Sequence, residues 1–279
     1  MTNNFNIAVN DYKQKLSERL KNEEKIGYVP MFSDTPVKYE LSEKISAIPC
    51  GGIGLINKLV HKIGLVDLID REIHLLKVHK PYHESDHILN LAYNIICGGD
   101  CLEDLELLRN SIPYLDALGA ERIPDPTTAG DFLRRFKDRD IQELEGIINQ
   151  VSQKIWKSKK YKQNTDAILD VDSTIQSTYG ECKEKMDISY NGQWGFHPLV
   201  ITEANTGNHL IVVNRSGNEA SNLDAGNSID KAIDVVKGSF RSVYLRGDSA
   251  FSLTEKFDEW DQQNIKFVFG YDAHKNLIL

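Results

Sequence analysis

Apolar residues recur at intervals of three and four from Gly52 to about Lys162. Ile56, Leu59, Val60 and Ile63 make one stripe, and Ile88, Leu91, Ala92, Ile95 and Ile96 make another. This is the spacing by which one face of an α-helix meets a core. The clearest helix places Ile141, Leu144, Ile148, Val151 and Ile155 on one face. A shorter one carries Phe132, Leu133 and Phe136 behind Asp125-Pro126-Thr127-Thr128, where a threonine hydroxyl can cap the first turn. These stripes are expected to be core. The pattern therefore predicts an all-helical N-terminal domain over 27–163, preceded by a polar tail over 1–26.

Beyond the lysine-rich stretch that ends at Asn164 the period shortens to two. Ala167 to Val171, Pro198 to Thr202 and Leu210 to Val213 read as strands, the last two joined by the turn-forming run Glu203 to Asn208. A helix with Ile229, Ala232, Ile233 and Val236 on one face follows. Then come a strand from Ser242 to Arg246, a helix near Leu253 to Gln262 and a strand from Ile265 to Phe269. The order β-β-β-α-β-α-β predicts a mixed sheet with helices packed on it over 164–279, so the chain as a whole is of the α/β class.

Composition sharpens this picture in three ways. With 279 residues, 41% of them hydrophobic, the chain can bury one large core or two modest ones. The opening Met1 to Lys25 is polar and charged, and no run is apolar and long enough to span a bilayer, so the expected location is the cytoplasm without membrane contact. Cys50, Cys97, Cys101 and Cys182 are accordingly expected as reduced thiols. A net charge of −8 with pI near 5.5 argues against general nucleic-acid binding. Two local basic clusters run against that balance: Arg134, Arg135, Lys137 and Arg139, and Lys154, Lys157, Lys159, Lys160 and Lys162.

The candidate chemistry sits at strand ends. In Ile168-Leu169-Asp170-Val171-Asp172 the two-residue period sends Leu169 and Val171 to one face and both aspartates to the other. Arg246-Gly247-Asp248-Ser249 closes a later strand with a further carboxylate. If those strands are neighbours, Asp172 and Asp248 can hold a hard divalent cation through oxygen ligands. Such a site serves phosphodiester cleavage.

Three other motifs are set aside. His83-Glu84-Ser85-Asp86-His87 matches the zinc-protease pattern H-E-x-x-H. Pro81 lies just upstream, however, and Ser85 and Asp86 read as a helix cap, so His83 should fall before that helix starts. Cys97-Gly98-Gly99-Asp100-Cys101 is too loosely spaced for a structural zinc site, and Gly51-Gly52-Ile53-Gly54 lacks the flanking strand and Lys-Ser or Lys-Thr of a phosphate loop.

Several segments, in their order and spacing, resemble the DDE transposases of bacterial insertion sequences, and within them the 1380 group. They are Leu169-Asp170-Val171-Asp172-Ser173-Thr174, the run from Tyr190 to Leu199, Gly217-Asn218 followed by Ser221, and Arg246-Gly247-Asp248-Ser249-Ala250-Phe251. The segment Asp125 to Thr128, with Phe132 and Arg135, is similar to the family's N-terminal pattern. The resemblance implies a ribonuclease H-like sheet domain, Asp172 and Asp248 as the first two catalytic acids and metal ligands, and Asp170 as an auxiliary acid. It implies Mg²⁺ or Mn²⁺ as cofactor. It also implies DNA, both the element's terminal repeats and the target, as partner, with a homodimer on DNA as the candidate assembly.

Arg134, Arg135, Trp194, His197 and Arg246 are then the candidate DNA contacts. The resemblance further implies a third acid, a glutamate on a helix beyond the last strand. That acid has no counterpart before Leu279, since Glu255 and Glu259 read as surface residues, so the chain is expected to be truncated and its sheet domain incomplete. The alternative is a catalytically inactive remnant that only binds DNA.

Overall fold

The computed structural model describes residues 30–32, 48, 50–157, 165–179 and 183–271. The polar tail, the lysine stretch 158–164, where the expected domain boundary falls, and Cys182 lie outside them. The chain divides into two compact units between Ile147 and Ile148, inside one long helix.

The first unit contains α1 (Ile53–Lys62), α2 (Leu65–Glu72), α3 (Glu84–Ile96), α4 (Leu105–Arg109), α5 (Ile112–Leu118), α6 (Pro126–Leu133) and the start of α7 (Asp138–Trp156). Its core gathers Ile53, Val60, Leu89, Tyr93, Leu105, Tyr114 and Leu118. Asp125, rather than a threonine, caps α6. Its carboxylate accepts from the Thr128 backbone N–H at 3.0 Å and from the Thr128 hydroxyl at 2.8 Å, with Pro126 in the first turn where its missing N–H costs nothing.

The stripe expected on α3 is not the face that is buried. Ser85, Asp86, His87, Asn90 and Asn94 go inward with Leu89 and Tyr93, while Ile95 and Ile96 are exposed. Three of these polar side chains are tolerated because they bind backbone groups of neighbouring loops, and the Ser85 hydroxyl donates to the Asp70 carboxylate. Asp86 accepts from the N–H of Phe32 and of His83, Asn90 donates to the Pro124 carbonyl, and Asn94 donates to that of Cys101. The long helix α7 departs in the same way. It buries Ile147, Val151 and Trp156 and exposes Ile141, Ile148 and Ile155.

The cysteine expectation is also corrected. Cys50 and Cys97 form a disulfide, because the segment before α1 and the end of α3 bring their Cα atoms to 5.1 Å. Cys101 is free and exposed. As expected, His83 precedes the first turn of α3, with Asp86 reaching back to its N–H, so the two histidines of the H-E-x-x-H match do not share a helix face.

The second unit is built on a five-stranded sheet in the order β6-β5-β1-β7-β8, from β1 (Ala167–Ser173), β5 (Leu199–Glu203), β6 (Asn208–Val213), β7 (Val243–Gly247) and β8 (Lys266–Phe269). β1 runs antiparallel to β5 and parallel to β7, so the sheet is mixed, and β1 and β7 are the neighbours that the candidate chemistry requires. α8 (Ala225–Val236) and α9 (Thr254–Gln262) supply Ile229, Ala232, Ile233, Val236 and Trp260 to a core shared with Leu169, Val171, Ile201 and Leu245. A small second sheet, β2 (Gln176–Ser177), β4 (Trp194–Phe196) and β3 (Asp187–Ile188), lies between β1 and β5 in sequence. None of the described helices is long and apolar enough to cross a membrane.

Candidate active site

Alternation along β1 sets the site. Leu169 and Val171 are buried against α8, while Asp170 and Asp172 face the other side of the sheet. In the parallel register Val171 stands opposite Gly247. Asp172 and Asp248 are therefore each one residue beyond the last rung of this parallel pair, Asp172 still standing opposite Val200 of β5 while β7 ends at Gly247.

Each carboxylate is partly fixed by the chain itself. Asp172 Oδ1 accepts from the Ser173 N–H at 2.7 Å. Asp248 Oδ1 accepts from the Ala250 N–H at 2.9 Å and caps the single 3-10 turn Ser249–Phe251. The second oxygen of each accepts no hydrogen bond from the described residues. Both side chains are exposed. Hard oxygen donors with one unclaimed atom apiece, on neighbouring strand ends, suit a divalent cation of the Mg²⁺ type.

Asp170 and Arg246 occupy one rung of the same parallel pair. The guanidinium binds the carboxylate through two bonds, Nε to Oδ1 at 2.6 Å and Nη2 to Oδ2 at 2.7 Å, and this pairing holds Arg246 above its ordinary pKa. Asp170 thus spends both oxygens on Arg246, unlike the two strand-end acids.

His197 stands apart from the other expected DNA-contacting residues. It is buried, its Nδ1 lies 2.9 Å from the Glu219 carbonyl, and its own backbone is tied to Arg215 in both directions. Trp194, by contrast, is half exposed on β4. Arg134 and Arg135 are exposed on the other unit, Arg134 paired with Asp131 at 2.7 Å and Arg135 reaching the Leu75 carbonyl at 3.4 Å.

The residue that sequence reasoning missed is Arg215. Its guanidinium donates to the carbonyls of His197, Ala220, Ser221 and Leu223, gathering the loop after β6 beside the small sheet. Burial pushes its pKa down. A single arginine serving backbone carbonyls leaves no periodic or motif signal. Asn218 adds a 2.6 Å bond to Asp187. Gly217 and Gly195 are required there, because a Cβ on either would collide with backbone carbonyls of Asp187 and Gln176 respectively.

Among the described residues no glutamate joins the two acids. Glu255 and Glu259 are exposed on α9, with Glu259 bound to Lys256 at 2.9 Å. The described residues hold a group of three possible metal-binding side chains elsewhere, Asp100, Cys101 and Asp104. Asp104 there accepts from the N–H groups of Asp100 and Cys101, which accounts for its position as a turn cap.

The family described as Transposase DDE domain group 1 matches the chain over residues 45–278. The solved synaptic complex of a piggyBac transposase with hairpin DNA is similar over 77% of this chain at 13% identity and a TM-score of 0.38. The chain spans 48% of that protein's length. No curated protein matches it in sequence.

Proposed function

The chain belongs to the Transposase DDE domain group 1 family, and from that membership we propose that it cleaves and joins DNA for a bacterial insertion sequence of the 1380 group. One observation carries the reading: Asp172 and Asp248 stand one residue beyond the last rung of the parallel pair β1 and β7. The strand order β6-β5-β1-β7-β8, with three antiparallel strands followed by two parallel crossovers, supports a ribonuclease H-like domain around them.

Asp172 and Asp248 are the residues that would hold Mg²⁺ or Mn²⁺. Lewis-acid stabilisation of charge on a phosphodiester during in-line displacement is the chemistry such a cation supplies when bound. The backbone bonds from Ser173 and Ala250 orient the two carboxylates, and Asp170 fixes the Arg246 guanidinium two residues before them along the strand pair, where it meets a DNA phosphate. Trp194 and the exposed Tyr190 offer ring faces on which an unpaired base stacks. The products are a free 3′-hydroxyl at the element's end and, after its attack on target DNA, a joined strand.

The test is cleavage of DNA carrying the ends of the source element, with Mg²⁺ or Mn²⁺ present. Nicks at the element ends that vanish in Asp172→Ala and in Asp248→Ala are expected. Binding of those ends without any nick would leave a DNA-binding remnant in place of the enzyme. Nicks that survive both substitutions would refute the assigned acids.

A further inference from the structure

The helical unit holds a half-open cavity of about 850 Å³ between the segment following α2 and the helices α3 and α6. Its volume is in the range of about 300–1,000 Å³ common for small-ligand pockets. His87 lines it. This side chain is only 4% exposed, yet its Nδ1 has no hydrogen-bond partner. Its ring is held firmly, stacked on Phe132 with centroids 4.3 Å apart and touched edge-on by Tyr82 at 5.6 Å.

A buried nitrogen without a partner is destabilising unless something else supplies one. Burial pushes the His87 imidazole down to about 4, so at neutral pH the ring is uncharged and offers one N–H and one lone pair. Those groups match the edge of a nucleobase better than they match a phosphate. Lys77, Lys80 and Arg135 also line the cavity, all exposed. Among the described residues neither lysine has a carboxylate partner; the one acid in the lining, Asp131, is paired with Arg134, and the neighbouring Glu84 is held by the N–H groups of Leu75 and Leu76 and by His79. A positive wall beside an aromatic, neutral hydrogen-bonding floor stands out on a chain of net charge −8.

We propose that this cavity takes one unpaired nucleotide of a DNA strand, its base edge against His87 Nδ1 beside Tyr82 and its phosphate among Lys77, Lys80 and Arg135. The choice of DNA rests on the proposed function, but the cavity makes no use of Asp172 or Asp248.

The test uses the full chain without metal and a 12-nucleotide single strand bearing one 5-iododeoxyuridine. Irradiation is expected to join the strand to Tyr82 or His87, located by mass spectrometry, whereas the same base paired in a blunt duplex gives no such product. Lys77→Ala combined with Lys80→Ala should weaken binding of the strand about tenfold. His87→Phe, which keeps the ring stack, should weaken it about threefold to tenfold by losing one base contact. Melting curves establish that each variant is folded. Cross-links confined to 165–271, or unchanged affinity in both folded variants, would overturn the proposal. So would free deoxynucleoside monophosphates competing as well as the strand, since they would mark a site for small nucleotides. Cross-linking at Tyr82 together with absent nicking would sink the catalytic reading while leaving this site standing.

Discussion

Two segments of the molecule carry a pair of acids two residues apart, Glu84 and Asp86 on α3 and Asp170 and Asp172 on β1, and they put them to opposite uses. On α3 both acids are buried and claimed by the chain. Glu84 accepts from the N–H groups of Leu75 and Leu76 and meets His79 at 3.0 Å, while Asp86 accepts from Phe32 and His83. On β1 the acids face outward, and Asp172 keeps one oxygen free of the described residues. An acid is open to a ligand only where an oxygen remains unclaimed, and on these two segments that is Asp172 alone.

The largest effect that breaks this comparison is on stability. Glu84→Ala strands two partly buried backbone donors, each costing up to about 1–3 kcal/mol, so the helical unit should lose about 2–6 kcal/mol in chemical denaturation. If the variant is as stable as the parent, the α3 acids are not structural.

The next sharpens the account of α3 through pH. The folded pKa of His87 is depressed by burial, to about 4 from an ordinary 6.5. A neutral buried imidazole contributes stability that is fully present above pH 6.5 and is lost as pH falls through about 4. The stability difference between the parent and His87→Phe should therefore grow as pH rises from about 4 to 6.5, by about 3 kcal/mol at about 1.4 kcal/mol per unit. Comparing the two proteins cancels the opposite trend of Asp86, whose carboxyl is pushed up to about 6 by burial. A flat difference curve would mean that the ring is wet. The smallest expected change is Asp172→Ala, which should alter the melting free energy by less than about 0.5 kcal/mol because the side chain is exposed and buries nothing.

The same contrast explains how much was legible in the sequence. Along β1 a period of two left only one choice of face, and the run from Arg246 to Ser249 marked the second strand end, so the candidate site could be drawn before β1 and β7 were found paired. The helical stripes misled because a helix can bury polar side chains wherever distant backbone groups receive them, and the partners Phe32, Pro124 and Cys101 leave no trace in local spacing. The small sheet of two- and three-residue strands was too short for any period to register. The Cys50–Cys97 disulfide depended on a contact across 47 residues.

The most direct test of the strand-end site is Mn²⁺ titration of the purified chain by calorimetry, beside Asp172→Ala and Asp248→Ala. The account predicts a site in the parent that either substitution weakens at least about tenfold, the scale of losing one charged oxygen ligand. Equal Mn²⁺ binding by the parent and both variants, or none by the parent, would contradict it.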